Sequence, residues 1–168
     1  MTHLPADIEV VAATSEQEPI LANLLELYIH DFSEFLDLDL GPDGRFGYKY
    51  LSLYWKEPGH HPFIIEVNGG PAGFVLVRKG SQISGDENIW DITEFFVVRR
   101  HRRSGVGMTV AHRVWRWFPG KWEIRVRDSN RRAIAFWDRA VSELTGKTAD
   151  RKLVKNNGET WHVVSFES

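Results

Sequence analysis

The sequence predicts an α/β fold, α+β in its layout, with a mixed and mostly antiparallel central sheet, helices on both faces and one β-α-β crossover. Three observations predict it. The apolar runs Phe63–Val67 and Ala72–Val77 flank Asn68-Gly69-Gly70-Pro71, and Leu153–Lys155 and Trp161–Phe166 flank Asn156-Asn157-Gly158. Turn residues between short apolar runs signal hairpins, hence antiparallel neighbours. Three other segments repeat apolar residues at helical period. Finally, the strand-like run Trp90–Val98 leads through glycines and an amphipathic helix to a second run, Trp122–Arg127. That is the pattern of two parallel strands joined by a crossover.

Taken in order, Ile8-Glu9-Val10-Val11 reads as a short strand. Ser15 and Glu18 have the spacing of a capping box, with Pro19 in the first helical turn. Ile20, Leu24, Leu27, Tyr28, Phe32 and Phe35 then recur at helical period and predict a helix reaching Leu36. The stretch from Asp37 to Gly47 contains Gly41-Pro42-Asp43-Gly44 and reads as a loop. Tyr48 to Trp55 predicts a second short helix, ended by Glu57-Pro58-Gly59. The first hairpin follows, then a loop over Lys79–Asn88 and the strand Trp90–Val98. Val106, Val110, Val114 and Trp117/Phe118 share a face of the crossover helix, which Pro119-Gly120 closes. Asn130–Leu144 repeats the pattern with Ala133, Trp137, Ala140/Val141 and Leu144, before the final hairpin.

A chain of 168 residues with 42% hydrophobic residues suits one compact domain, 1–168, with a core large enough to fold unaided. There are no cysteines, which removes disulfides, thiolate metal sites and cysteine nucleophiles and fits a reducing compartment. No basic, apolar leader opens the sequence and no apolar run approaches the ~18 residues of a membrane span, so a cytoplasmic protein without a membrane partner is expected. The net charge of −2 hides an asymmetry: residues 1–57 carry 11 Asp/Glu against 3 Lys/Arg, and the remainder 12 against 18. An acidic first third and a basic remainder suit a site joining a cationic acceptor to a polyanionic donor; solvated faces of mixed sign are the alternative.

The most informative stretch runs from Ile92 to Met108. A strand delivers the chain into Arg99-Arg100-His101-Arg102-Arg103, and Gly105 and Gly107 then bracket a helix start. Backbone N–H groups at a helix N-terminus bind anions, glycines let a pyrophosphate approach the backbone, and guanidiniums add fork-shaped donors. Those are the requirements of a nucleotide pyrophosphate site. A P-loop needs Lys and Ser/Thr after its last glycine, where this chain has Met108. A dinucleotide fingerprint needs a third glycine, where this chain has Val110. A solvated basic loop or a nucleic-acid patch is the remaining alternative for Arg99–Arg103. The glycines favour a small anionic ligand, and no nucleic-acid partner is expected.

Arg102-Arg103-Ser104-Gly105-Val106-Gly107 resembles the Arg/Gln-x-x-Gly-x-Gly/Ala signature of the GNAT superfamily of N-acyltransferases. Asn130-Arg131-Arg132-Ala133-Ile134-Ala135-Phe136-Trp137 resembles the family's second motif, where an Asn opens a helix containing Ala and an aromatic pair. The resemblance is close from about Ile92 to Leu144 and topological elsewhere. It implies the GNAT fold and an enzyme that moves an acetyl group from acetyl-CoA, as co-substrate, to a primary amine by direct attack in a ternary complex. A non-catalytic acyl-CoA-binding or sensing module is the alternative.

The resemblance also implies site residues. Main-chain groups of Phe95, Phe96 and Val97 would pair with the pantetheine arm. Arg102, Arg103, Ser104, Gly105, Val106, Gly107 and Met108 would hold the pyrophosphate. Asn130 would bond the pantetheine, and Arg131 or Arg132 would meet the adenosine 3′-phosphate. Counting back from Arg102, Asp91 occupies the position of the general base in several relatives and is the first choice. Glu94, between Ile92 and Phe96 on one face of the strand, where burial could tune its pKa, is the second. Many relatives carry a Tyr acid where this chain has Trp137, and an indole N–H donates a hydrogen bond but no proton. Tyr28, His30, Asp31, Glu34, Tyr48, Tyr50, Tyr54 and Trp55 lie where the fold builds its acceptor pocket, with acids and rings suited to a small-molecule or peptide amine. The histidines show no metal-ligand spacing, so no metal is expected. The chain is expected to be a monomer or homodimer.

Overall fold

The computed structural model describes residues 6–168. The elements are β1 (Ile8–Ala12), α1 (Glu18–Phe32), α2 (Leu53–Lys56), β2 (His60–Val67), β3 (Gly70–Lys79), β4 (Trp90–Val97), α3 (Val106–Trp117), β5 (Lys121–Arg127), α4 (Arg131–Thr145), β6 (Asp150–Asn156) and β7 (Glu159–Glu167). Short 3-10 turns precede α1 at Ser15–Gln17 and follow β4 at Arg99–His101. The seven strands run β1-β2-β3-β4-β5-β7-β6. β4 and β5 pair in parallel across the α3 crossover, with Trp90 opposite Trp122. The pairs β1–β2, β5–β7 and β6–β7 are antiparallel. The expected mixed sheet and the expected order of elements are both present.

Local chemistry explains most element ends. Asn68 and Gly69 adopt φ of 52° and 77°, and Asn157 and Gly158 49° and 78°, the left-handed pairs that close two-residue hairpins with the twist of their strands. Asn130 accepts the Ala133 N–H at 3.1 Å as the N-cap of α4, and Gly146 ends that helix in the left-handed region, donating to Ser142 O at 2.9 Å. Three boundaries differ from the sequence reading. The capping box sits one residue earlier, with Gln17 Oε1 accepting Thr14 N–H at 3.0 Å, because Thr14 is the last extended residue and Ser15 already lies inside the turn. α1 stops at Phe32 instead of Leu36, where Ser33 Oγ takes the His30 carbonyl at 2.7 Å and competes with the helical ladder. The helix expected over 48–55 is a single turn at 53–56, preceded by hydrogen-bonded turns.

The chain forms two compact units. One holds residues 6–76 with Glu94–Val110, the other Val77–Thr93 with Ala111–Ser168. The first unit packs Leu21, Leu24 and Leu25 of α1 with Leu51, Tyr54, Ile64, Phe74 and Phe96. The second is centred on Trp115, whose ring lies 6.0 Å from that of Trp137 and 4.7 Å from that of Phe166. Trp90 stacks near Phe118 at 4.7 Å in the same unit. Among the described residues, no helix is long and apolar enough to cross a membrane.

Candidate functional site

In the first unit, β4 ends at Val97 and one 3-10 turn carries the chain to Arg102. Arg103 then takes φ 62° and Gly105 φ 86°, and α3 starts at Val106. Two left-handed residues in three positions wrap the backbone tightly before the helix. Only glycine occupies that region without strain, so Gly105 is demanded by conformation. It is not demanded by space, since a Cβ there would meet nothing within 4 Å. Residues 102–105 are exposed. The first N–H groups of α3 lack helical acceptors by geometry and carry its positive dipole end. This backbone fits an anion such as a pyrophosphate.

The side chains of the loop have partners within the chain. Arg102, expected to hold the pyrophosphate, makes three such contacts. Its Nε donates to Val97 O at 2.6 Å, its Nη2 to Asp31 Oδ2 at 2.5 Å, and its guanidinium lies 5.3 Å from the centre of the Phe96 ring. Its N–H bonds Arg99 O at 3.2 Å. Ser104 Oγ donates to His101 O at 2.8 Å, so its hydroxyl fastens the turn. Arg103 and Gly105 are exposed, Val106 is buried, and Gly107 and Met108 are half-buried. Burial opposes ionisation of Asp31, yet Arg102 and Arg99 together hold its carboxyl below the usual range. Asp31, expected in an acceptor pocket, is thus a partner of the loop.

Three residues before Val97, the half-buried Glu94 meets two phenols. Tyr28 donates to Oε2 at 2.5 Å and Tyr48 to Oε1 at 3.1 Å. Tyr28 is held edge-on by Phe32, Phe74 and Phe96. Burial, and then the charge of Glu94, pushes the Tyr48 phenol far above its ordinary range, so it stays protonated and donates. β3 supports this stretch of β4 at Gly73, where a Cβ would stand 2.0 Å from Phe96 O. Of the other aromatics expected at an acceptor pocket, Tyr54 is buried in the core, and Trp55 packs against it and donates its indole N–H to Ala13 O at 2.9 Å. Tyr50 is exposed.

The second unit holds the other expected residues. Asp91 is 1% exposed and bonded to Arg125 at 3.0 Å. Burial pushes its carboxyl up, against the pull of Arg125 and Arg78. Asp91 thus lies in the interior as the partner of Arg125, with Arg78 acting on its charge. Asn130 uses its carbonyl oxygen as the α4 cap, which leaves its amide NH2 as a donor. Arg132 is exposed in the first turn of that helix. Trp137 is buried beside Trp115 and Phe136. A cluster the sequence did not reveal joins His162 Nε2 to Asp128 Oδ1 at 2.7 Å, with Arg131 on the other Asp128 oxygen at 3.1 Å; the hydrogen bond from His162, helped by Arg131, lowers the Asp128 pKa. Among the described residues, no group of acids and histidines could hold a metal ion.

Comparison with known proteins bears on the fold and the family. The chain resembles solved structures at low identity, which speaks for the fold. An acetyltransferase from Thermus thermophilus superposes with TM-score 0.69 and 15% identity, covering 96% of this chain and 97% of that one. Spermidine N-acetyltransferase from Vibrio cholerae, in complex with CoA and spermine, gives 0.65 and 12%, covering 95% of each. An aminoglycoside acetyltransferase in complex with coenzyme A gives 0.69 and 15%, covering 96% and 95%. No curated protein sequence matches the chain. The profile of the acetyltransferase (GNAT) family matches residues 21–141, which contain the loop, the strand before it and most of α4. The chain belongs to the GNAT family of acetyltransferases.

Proposed function

We propose that the protein transfers an acetyl group from acetyl-CoA to a primary amine, by direct attack in a ternary complex, with Glu94 as the base. The single observation that carries this reading is the pairing of Glu94 with the hydroxyls of Tyr28 and Tyr48, three residues before the strand end that leads into the anion-binding loop. The amine nitrogen attacks the thioester carbonyl carbon of acetyl-CoA. The N–C bond forms, the C–S bond breaks, and coenzyme A leaves as the thiolate, which takes its proton from water. The backbone from Gly105 to Met108, with Arg103, binds the pyrophosphate through N–H groups and charge. Main-chain groups of Phe95, Phe96 and Val97 bind the pantetheine arm. Glu94 takes the proton that the amine gives up, directly or through one water. Tyr28 and Tyr48 fix both carboxylate oxygens, so the base waits in one orientation. Asp91, first choice on sequence position, takes a structural role in this reading because it is enclosed with Arg125.

Several finer points belong to the same proposal. The acceptor is a small-molecule or peptide amine; the spermidine and aminoglycoside acetyltransferases of the same fold act on amines of that kind by name. Residues 1–168 work as one domain in the cytoplasm, where a chain without cysteine is at home. Trp137 favours one rival, a module that binds acyl-CoA without turnover, because the indole cannot protonate a leaving thiolate. Free-thiol release from acetyl-CoA across a panel of primary amines separates the two. The enzyme reading expects amine-dependent release that Glu94→Gln abolishes; binding of acetyl-CoA with no release on any amine favours the module.

A further inference from the structure

We infer that Asp31 is a positioning residue for the cofactor loop, acting through Arg102 on the end of β4. This rests on the proposed function, because it concerns the geometry of the coenzyme A site. The Asp31 carboxylate in the last turn of α1 receives Arg99 Nη2 at 2.7 Å on one oxygen and Arg102 Nη2 at 2.5 Å on the other. The loop is thereby tied to α1 at two points, 68 and 71 residues apart in sequence. Arg102 passes the restraint on, since its Nε holds the Val97 carbonyl at 2.6 Å while its plane lies over Phe96. One guanidinium thus links α1, the last residue of β4 and the loop that opens α3.

The burial of the partners shows which part of this link is firm. Asp31 keeps only 22% of its side-chain exposure and Arg102 39%, whereas Arg99 is 75% exposed. Exposed pairs contribute little, while a fork held against a fixed carbonyl and a partly buried carboxylate is geometrically specific. The Asp31–Arg102 arm therefore sets the position, and Arg99 is left adaptable. Asp31 touches no cofactor in this scheme. It orients the carbonyl before the loop, and with it the direction in which the following N–H groups point. A rival reading makes Asp31 a stand-in anion that competes with the cofactor's phosphates for Arg99 and Arg102. The two readings predict opposite signs.

The test measures the Kd for coenzyme A by calorimetry, and kcat and KM for acetyl-CoA, in Asp31→Asn, Asp31→Glu and the control Asp39→Asn, an equal charge change at an exposed position. Measurement at about 0.15 M and about 0.5 M salt separates geometry from long-range charge. The positioning role predicts that Asp31→Asn raises Kd and KM roughly tenfold at both salts with kcat within about twofold, that Asp31→Glu restores most of the affinity, and that Asp39→Asn changes neither. Equal or tighter binding by Asp31→Asn overturns it in favour of the competitor, and an equal loss in Asp39→Asn overturns it in favour of bulk charge. Arg102→Lys keeps the charge without the fork, so it must weaken binding similarly, and the double variant must be no worse than either single one; additive losses overturn the link. If the wild type binds no coenzyme A, the functional reading falls separately. The clamp is then read in the free protein by amide exchange at His101 and Arg102, whose N–H groups bond Val98 O and Arg99 O. Asp31→Asn must speed that exchange, and unchanged rates overturn the proposal.

Discussion

Replacing Gly73 by alanine adds one methyl group at the point where β3 comes closest to the end of β4. The new Cβ would stand 2.0 Å from Phe96 O and 3.0 Å from both Phe96 C and Val97 Cα. All three are backbone atoms, so no rotamer change relieves the contact, and the strands must part by about 1 Å or more. Overpacking of a fixed core costs about 1–3 kcal/mol. For a chain of this size that lowers Tm by roughly 2–4 °C per kcal/mol, hence by about 2–12 °C. The displaced peptide lies next to Val97, whose carbonyl anchors Arg102. A misplacement of ~1 Å in a reacting geometry costs about a hundredfold in rate. Gly70→Ala is the control on the same strand, because its Cβ meets only Val67 O, at 3.9 Å, and its φ is not left-handed. Thermal unfolding and acetyl-CoA-dependent thiol release are measured on both variants. The reasoning is refuted if Gly73→Ala matches the wild type in Tm and kcat/KM, or if Gly70→Ala does equal damage.

Other consequences are equally open to measurement. Glu94→Gln is expected to lower kcat by about 10²–10⁴ with the Kd for coenzyme A unchanged; retention of kcat within threefold would remove Glu94 as the base. Asp91→Ala leaves Arg125 without its buried partner, which costs about 3–5 kcal/mol and so roughly 6–20 °C in Tm. Its folded fraction should keep near-native kcat, and a loss of kcat at full stability would return Asp91 to the chemistry. Gly105→Ala forces a side chain to φ 86°, so it should weaken coenzyme A binding and destabilise by about 1 kcal/mol or more; unaltered affinity would show that the loop tolerates another path. Because Asp31 is held below its ordinary 3.8, its contribution to stability is full above the unfolded value and is lost as pH falls through the lower folded one. Acid titrations of wild type and Asp31→Asn should therefore show a constant stability gap from about pH 5 to 8 that closes below 3.8. A gap that closes near neutral pH would assign it to another group.

The fold was legible where one residue type forces one local conformation. Asn68-Gly69 and Asn157-Gly158 announced their hairpins because few other pairs accept two left-handed residues in succession. Asn130 announced the start of α4, and Gly146, which the sequence reading did not single out, ends it in the left-handed region. The start of α3 after the Arg99–Arg103 loop was legible because Gly105 and Gly107 bracket it in the sequence. The use of the loop's side chains was not, since Arg102 is turned by Asp31, 71 residues away. Glu94 illustrates the same limit: its strand face, shared with Ile92 and Phe96, suggested burial, but its phenols come from 66 and 46 residues away. Asp91 stood at a family position, and only the packing of Arg125 and Arg78 around it reveals an interior ion pair. Gly73 did leave a signal, as a lone glycine inside an apolar strand run, which marks a close backbone approach. His162 and Asp128 left none, being 34 residues apart with unremarkable neighbours.

The most direct test of the central claim is free-thiol release from acetyl-CoA, recorded with and without a primary amine, in the wild type and in Glu94→Gln. The account predicts release that depends on the amine and saturates with acetyl-CoA, is lost in Glu94→Gln, and leaves coenzyme A affinity equal in the two proteins. Binding of acetyl-CoA by the wild type without amine-dependent release, or equal turnover by both proteins, would contradict it.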